Sequence, residues 1–343
     1  MRAIGYARSL PIDDEAALED IELPAPTEAD LGPRDLLVDV AAVSVNPVDV
    51  KVRARMAPET GHKVLGWDAS GTVRAIGAAV TLFAPGDEVY YAGAIGRPGT
   101  NAEAHLVDER IVGRKPATLS HAEAAALPLT TITAWELLFD GMRVPLTDAG
   151  DGGTGDALLV IGGAGGVGSI LVQIAQALTG LTAVATASRP ETRDWCLAMG
   201  ADHIIDHRED MGTQLREIGV VPRYVASLTA TDRHWRAIVD LVAPRGTIAL
   251  IDDPKTLDAG LLKPKALTLH WEFMFARPAF ETPDMGAQHD LLNRVADLVD
   301  AGRLRTTANR EGGMITAPNL RAAHAHQESG RAVGKTVLAG WAR

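Results

Sequence analysis

Five glycines crowd into residues 162–168 of the stretch 156-DALLVIGGAGGVGSILVQIAQAL-178, after five apolar residues and before an apolar pattern of helical spacing. Gly163, Gly165 and Gly168 make a G-x-G-x-x-G, with Gly166 and Val167 between the last two. After a strand and at the start of a helix, this spacing suits a dinucleotide. The first glycine permits a tight turn, the second lets bare backbone approach a pyrophosphate, and the third lets helix and strand pack closely. The helix start then offers N–H groups to the phosphates. The bland alternative is a glycine-rich connection without a ligand. About 20 residues on, an acidic residue would clasp the ribose 2′-hydroxyl of NAD. Here the second strand ends in Ser188 and Arg189, with Arg193 one helical turn further. A hydroxyl beside a guanidinium suits a 2′-phosphate, which favours NADPH as cofactor. Ser188 and Glu191 also read as an S-x-x-E capping box with Pro190 in the first turn.

The elements that must position these residues are of two kinds. Residues 1–123 read as short strands with turn punctuation, among them 35-DLLVDVAAVSVN-46, 69-ASGTVRAIG-77 and 85-PGDEVYY-91. From 124 on, strands at 157–161, 181–187, 203–205, 223–227 and 246–251 alternate with helical patterns, which predicts a parallel sheet with crossover helices. A helix is expected at 287–302, a last strand at 334–340, and an exposed turn at 148–157. No internal repeat or low-complexity tract is evident.

At 343 residues the chain should form two domains. A net charge of -11 and the lack of Lys/Arg patches argue against a nucleic-acid partner. The single cysteine, Cys196, excludes an internal disulfide and a thiolate-rich metal cage. No apolar run approaches the roughly 18 residues of a membrane span, and the first residues lack the apolar core of a signal peptide, so a soluble, cytoplasmic protein is expected.

With 46-NPVDVKVR-53, 65-LGWDASGTV-73, 85-PGDEVYY-91, 127-LPLTTITAWELL-138, 162-GGAGGVGS-169 and 334-GKTVL-338 in this order, the sequence resembles the medium-chain dehydrogenase/reductase superfamily over essentially its whole length. Within it the chain is similar to the quinone oxidoreductase-like branch, including a subgroup called zinc-type alcohol dehydrogenase-like. The resemblance implies an α/β protein with a GroES-like, β-rich catalytic domain (1–123 and 277–343) and a Rossmann domain with a doubly wound parallel sheet (124–276). It also implies a cleft between the two domains and a homodimer. Where the alcohol dehydrogenases hold catalytic zinc, this sequence has Asn46, Trp67 with its neighbour Asp68, and the Thr130–Thr133 region, none of which supplies a thiolate or imidazole. His62, His105, His121 and His203 are scattered without metal spacing. No metal is expected, and Trp67 is expected to wall the vacated pocket or to serve as an ordinary core residue.

Without a Lewis acid, an electrophilic double bond or a quinone is the easier hydride acceptor, because its charge delocalises onto an oxygen that one or two oriented donors can assist. The expected activity is NADPH-dependent hydride transfer to quinones or α,β-unsaturated carbonyls. The alternatives are a zinc-dependent alcohol dehydrogenase and a non-catalytic NADPH-binding sensor or structural protein. Asn46 and Asp49 stand where zinc-free relatives have a similar Asn-x-x-Asp beside the nicotinamide. Asn46 offers an amide donor to the substrate oxygen or the nicotinamide ribose, and Asp49 could orient Lys51 or Arg53. An Asx-Pro turn with an ordinary Asp is the bland reading. Tyr91 is the expected hydroxyl at the substrate, with Tyr90 on the opposite face of a regular strand; a structural tyrosine is the alternative. From the resemblance, Thr131 touches the cofactor near the nicotinamide ribose, or else caps or packs a helix. Lys335 resembles a terminal cation that reaches the pyrophosphate, or is an exposed Lys near a strand start.

Overall fold

A computed structural model of the chain describes residues 1–147 and 155–342. The expected turn at 148–157 lies, up to residue 154, outside the described residues. The chain divides into two compact units, Met1–Ile132 with Phe275–Arg343, and Thr133–Met274. From the sequence, the boundaries are expected at 123/124 and 276/277. The helices His121–Ala125 and Pro128–Trp135 begin in the first unit because their polar groups bond into it. His121 Nδ1 meets Ser70 Oγ at 2.8 Å, and the Leu129 N–H donates to Asp68 at 2.8 Å.

The first unit is built on a seven-stranded sheet whose central strand, Asp35–Val45, pairs antiparallel with Asp68–Ile76 on one side and with Lys335–Ala339 on the other. The 11-residue Asp35–Val45 run is buried at nearly every position, which matches its Val-rich, nearly unbroken apolar sequence. The Glu88–Ala92 strand pairs with Asp68–Ile76, and Ala104–Asp108 pairs with Asp35–Val45. Because Lys335–Ala339 comes from the far end of the chain, this sheet closes only when both chain ends are present.

The second unit is a six-stranded, all-parallel sheet in the spatial order 203–205, 182–186, 157–161, 224–227, 247–250, 268–271. Numbered along the chain, this is 3-2-1-4-5-6, the order of the Rossmann fold. Leu159, Val184, Val225 and Ile248 from four of its strands form one buried cluster with Trp235, Ile238 and Val239 of the helix Thr231–Leu241. Each such side chain contributes about 1.5–3 kcal/mol on burial. The expected strands appear within about a residue of their predicted ends. The sixth strand, Thr268–Trp271, lies at the sheet edge with no buried position, so it lacks the apolar run that marks the other strands in the sequence. Among the described residues, no helix is long and apolar enough to cross a membrane.

Candidate active site and cofactor loop

In the first unit, strand register assembles a polar cluster. Thr336 pairs with Val45 and Val337 with Ser44, which brings Lys335 beside Asn46; Ser44 also pairs with Asp68 on the other side. Directly opposed residues of an antiparallel pair share a face of the sheet. Asp68 is therefore approached from both neighbours. Its Oδ2 accepts from Ser44 Oγ at 2.9 Å, from Asn46 Nδ2 at 2.8 Å and from Lys335 Nζ at 2.8 Å, while its Oδ1 accepts from the Leu129 N–H at 2.8 Å. Lys335 Nζ also donates to Asn46 Oδ1. Asn46, Asp68 and Lys335 are all buried, at 0%, 0% and 3% exposure. Burial forbids an unpaired charge, and here the carboxylate and ammonium pair with each other, with Ser44, Asn46 and Leu129 supplying further hydrogen bonds. The Asn46 amide keeps one Nδ2–H for another acceptor.

Lys335 is thus placed differently from the exposed or pyrophosphate-reaching lysine that the sequence suggests: its ammonium is committed to the Asn46–Asp68 cluster. Asp49 is also buried, at 1% exposure, and it does not orient Arg53. The Arg53 guanidinium donates instead to the Leu10 carbonyl and to Glu328. Asp49 Oδ2 accepts from the Asn46 backbone N–H at 2.6 Å and closes the first turn of the helix Pro47–Arg55, which includes the Asx-Pro start that the sequence offers. Asp49 Oδ1 has no hydrogen-bond partner.

Burial pushes the Asp49 carboxyl up to about 7, against the pull of the backbone donors and the Lys335 charge, with Asp68 pushing the same way as burial. Unfolded, it would ionise near 4, so folding takes up a proton between these values. Stability is full below about pH 4, falls as pH rises through 7, and the total loss is up to about 4 kcal/mol. Asp49→Asn should flatten this slope between about pH 4 and 7, as read by urea denaturation at each pH.

Tyr91 does not join the cluster through its hydroxyl. Tyr91 pairs with Ala69, and Ala92 with Asp68, so a one-residue offset sends Tyr91 to the face opposite Asp68. There its hydroxyl meets His105 Nδ1 at 3.2 Å with the rings stacked, and His105 Nε2 donates to the Pro98 carbonyl at 3.0 Å. Burial holds His105 down to about 4, so the imidazole is neutral: Nε2 carries the proton and Nδ1 accepts from Tyr91. Tyr90 occupies the other face, as alternation requires, and donates to the Leu292 carbonyl at 2.6 Å.

Trp67 is 2% exposed and meets Phe275 edge-on at 5.9 Å, while its Nε1 lacks a partner. Thr131 is fully buried with an unpartnered Oγ1, on the helix whose Leu129 N–H holds Asp68. Asp49 Oδ1, Trp67 Nε1 and Thr131 Oγ1 are buried without a hydrogen-bond partner, as are polar atoms elsewhere among the described residues.

These donors do not fit a zinc ion. Catalytic zinc takes three ligands from His, Cys, Asp and Glu. Of the residues at the family's ligand positions, Asn46 faces an ammonium, Trp67 presents an indole, and the Asp68 carboxylate is saturated by Lys335 and three neutral donors. Among the described residues, no group of three His, Cys, Asp or Glu is gathered to hold a metal. His105 and His121 are occupied by Tyr91, Ser70 and Glu88, and His62 lies beside Glu19.

In the second unit, strand Ala157–Ile161 runs through the glycines into the helix Gly166–Leu178. The turn itself is made one residue earlier than the motif suggests. Gly162 has a φ of +89, and its N–H is held by Thr186 Oγ1 at 3.0 Å. Gly163 is needed for packing: a Cβ there would lie 2.7 Å from the Ala185 Cβ. A Cβ on Gly168 would lie 2.5 Å from the Gly163 carbonyl and 2.6 Å from that of Gly162. A Cβ on Gly165 would meet only the Gly162 carbonyl, at 3.5 Å, so its absence clears space on the ligand side. The N–H groups of Gly166, Val167 and Gly168 open the helix and have no partner within it. The loop therefore fits the pyrophosphate of a dinucleotide.

At the end of the neighbouring strand, Arg189 caps the helix Pro190–Ala198, exchanging hydrogen bonds with Thr192. The box thus forms one residue later than the Ser188–Glu191 pair. Arg189 Nε contacts Glu191 at 2.9 Å, and Arg193 is exposed on the same helix. Arg208 was missed in the sequence, yet its Nη2 donates to the Ser188 carbonyl at 2.6 Å. The signal for it is the parallel register, Thr186 against Ile205, which carries residues 206–208 alongside 187–189. Ser188, Arg189 and Arg208 thus lie together at the strand ends, with Arg208 also paired to Asp206 at 2.7 Å.

Residues 32–123 match the model of the alcohol dehydrogenase GroES-like domain, and residues 199–338 that of a zinc-binding dehydrogenase. A zinc-type alcohol dehydrogenase-like protein of Staphylococcus aureus (strain COL) is 41% identical over 341 residues, covering 98% of this chain and 99% of the relative. The crystal structure of a candidate zinc-dependent alcohol dehydrogenase from Rhizobium etli CFN 42 is 55% identical, with a TM-score of 0.93 over 100% of this chain and 99% of its own. A mycobacterial protein complexed with NADPH is 26% identical, with a TM-score of 0.80 over 99% of this chain and 100% of its own.

Proposed function

Because the chain belongs to the medium-chain dehydrogenase/reductase superfamily, we propose that it is an NADPH-dependent reductase that passes hydride to a quinone or an α,β-unsaturated carbonyl without a metal. The observation that supports this reading is the buried Asn46–Asp68–Lys335 cluster, in which an ammonium is bonded to Asn46 and Asp68, at and next to positions where the resemblance to alcohol dehydrogenases implies metal ligands. NADPH, when bound, supplies the hydride. The glycine loop offers the N–H groups of Gly166, Val167 and Gly168 to its pyrophosphate. Ser188, Arg189 and Arg208 would hold the 2′-phosphate, with Arg193 as a further cation, and the NADPH complex of the mycobacterial structure supports that choice. Thr131, whose buried Oγ1 has no hydrogen-bond partner, would bond the nicotinamide ribose, as the resemblance implies. The remaining Asn46 Nδ2–H would donate to the acceptor's oxygen as negative charge builds there, and Asp49 holds the turn that presents Asn46. Tyr91, with its hydroxyl given to His105, takes no part in the chemistry.

NADPH oxidation measured with a panel of quinones, enones and simple aldehydes tests this reading. Quinones or enones should be reduced, with activity unchanged by chelators. About one zinc per chain, with activity lost on chelation, would overturn it in favour of a metal-dependent alcohol dehydrogenase. NADPH binding with no acceptor reduced would favour the sensor. Charge-assisted bonds to a phosphate contribute about 1.5–3 kcal/mol each. Arg189→Ala should therefore lower the preference for NADPH over NADH, read as the ratio of kcat/KM, by roughly 10–100-fold.

A further inference from the structure

The glycine turn of the second unit is held from outside as well as by its own backbone. The Gly165 N–H closes on the Gly162 carbonyl at 3.2 Å, and the Gly165 carbonyl accepts twice, from the Ser169 N–H at 2.9 Å and from Ser169 Oγ at 2.7 Å. Ser169 is fully buried, and Trp195 Nε1 donates to its Oγ at 2.8 Å. An indole N–H can only donate, so the hydroxyl accepts from Trp195 and its one proton is left for Gly165. A directed chain of hydrogen bonds therefore runs from Trp195 through Ser169 to the Gly165 carbonyl. Trp195 belongs to the helix Pro190–Ala198, which follows the strand end bearing Ser188 and Arg189. Its neighbour on that helix, Cys196, packs beneath the same turn: a Cβ on Gly163 would lie 3.2 Å from the Cys196 Sγ.

We propose that Trp195 and Ser169 are positioning residues for the pyrophosphate of the dinucleotide: their chain keeps the Gly165 carbonyl drawn back along the helix Gly166–Leu178, so that the phosphates meet N–H groups and no carbonyl oxygen. This rests on the cofactor reading above and on no feature of the hydride acceptor. A carbonyl oxygen turned toward a phosphate would set two acceptors against each other with no proton between them. The loss of one neutral hydrogen bond corresponds to a roughly 2–10-fold change in an equilibrium constant.

The test compares the wild type with Ser169→Ala, Trp195→Phe and the double variant, each assayed for thermal midpoint and for NADPH and NADH affinity by nicotinamide fluorescence. Ser169→Ala, which breaks both links, should weaken NADPH binding about tenfold, and Trp195→Phe, which breaks only the outer one, about threefold. The two cofactors share the pyrophosphate and differ only in the 2′-phosphate, so each variant should weaken both by the same factor. Because Trp195 acts through Ser169, the double variant should bind no more weakly than Ser169→Ala. Trp195→Phe, which keeps an aromatic ring between the helices, carries the test should Ser169→Ala fail to fold.

A thermal midpoint that falls while both affinities hold would overturn the proposal and leave the chain a helix-packing device. Weaker NADPH binding with NADH unchanged would overturn it in favour of an effect at the 2′-phosphate, through Arg189 and Arg193. Single-variant factors that multiply in the double variant would make the two residues independent contacts, which also overturns it. A wild-type protein that binds neither cofactor defeats the cofactor reading, and this proposal with it. Wild-type binding with any of the three variant results above defeats this proposal alone.

Discussion

Asp68→Leu is expected to destabilise the first unit by about 3–5 kcal/mol, because it leaves the Lys335 ammonium buried without a counter-charge. The same change orphans three more donors at once: Ser44 Oγ, Asn46 Nδ2 and the Leu129 N–H. Two of these bonds tie together different stretches of chain, the 44–68 strand pair and the helix that starts at Pro128, so the loss should be cooperative rather than local. Urea denaturation followed by tryptophan fluorescence would measure it. The informative comparison is Asp68→Leu with Lys335→Met. Replacing both members of a buried pair by apolar groups is often neutral or stabilising, so the double variant should recover the part of the loss that comes from the lone ammonium, while the Ser44, Asn46 and Leu129 donors stay unpaired. A single variant within about 1 kcal/mol of wild type would mean that the pair is solvated in solution.

Gly168→Val should have a comparably large effect in the second unit. Its Cβ would stand 2.5 Å from one backbone carbonyl and 2.6 Å from another, and neither can swing aside as a side-chain tip would. The helix must draw back from the strand, at a cost of roughly 3 kcal/mol or more, and the phosphate-binding N–H groups move with it. NADPH binding should be abolished and the thermal midpoint lowered. Gly165→Ala is the control that separates fold from ligand. Its Cβ meets only one carbonyl, at 3.5 Å, so the midpoint should hold while NADPH affinity falls at least tenfold. If Gly165→Ala bound NADPH as tightly as wild type, the pyrophosphate would have to lie elsewhere.

Much of the fold was legible because the strands of the second unit are short apolar runs punctuated by turn residues, which a period-based reading detects. The glycine loop was legible for a related reason: its requirement is local, four small residues, 162–165, between a strand and a helix. Even so, the positive φ falls on Gly162, outside the three motif glycines, because the turn must place that N–H on Thr186, a partner 24 residues away. The polar cluster was legible only in its members. Asn46, Asp49 and Lys335 could be nominated singly, but their chemistry depends on pairings across the sheet between residues as far apart as 46 and 335, and sequence spacing does not encode register. Tyr91 shows the same limit more sharply. A shift of one position would have turned its hydroxyl toward Asp68; the actual pairing with Ala69 turns it to His105.

The last strand of the described residues, Lys335–Ala339, lies beside a much earlier one, Asp35–Val45. During translation roughly 200 residues separate Ile132 from Lys335, and at about 5–20 residues per second the leading half of the first unit waits some 10–40 s for its missing neighbour. The parallel-sheet unit, contiguous from Thr133 to Met274, has no such wait and is complete first. A chain cut before Lys335 would therefore keep its glycine loop but carry an open sheet edge and an Asp68 stripped of its cation.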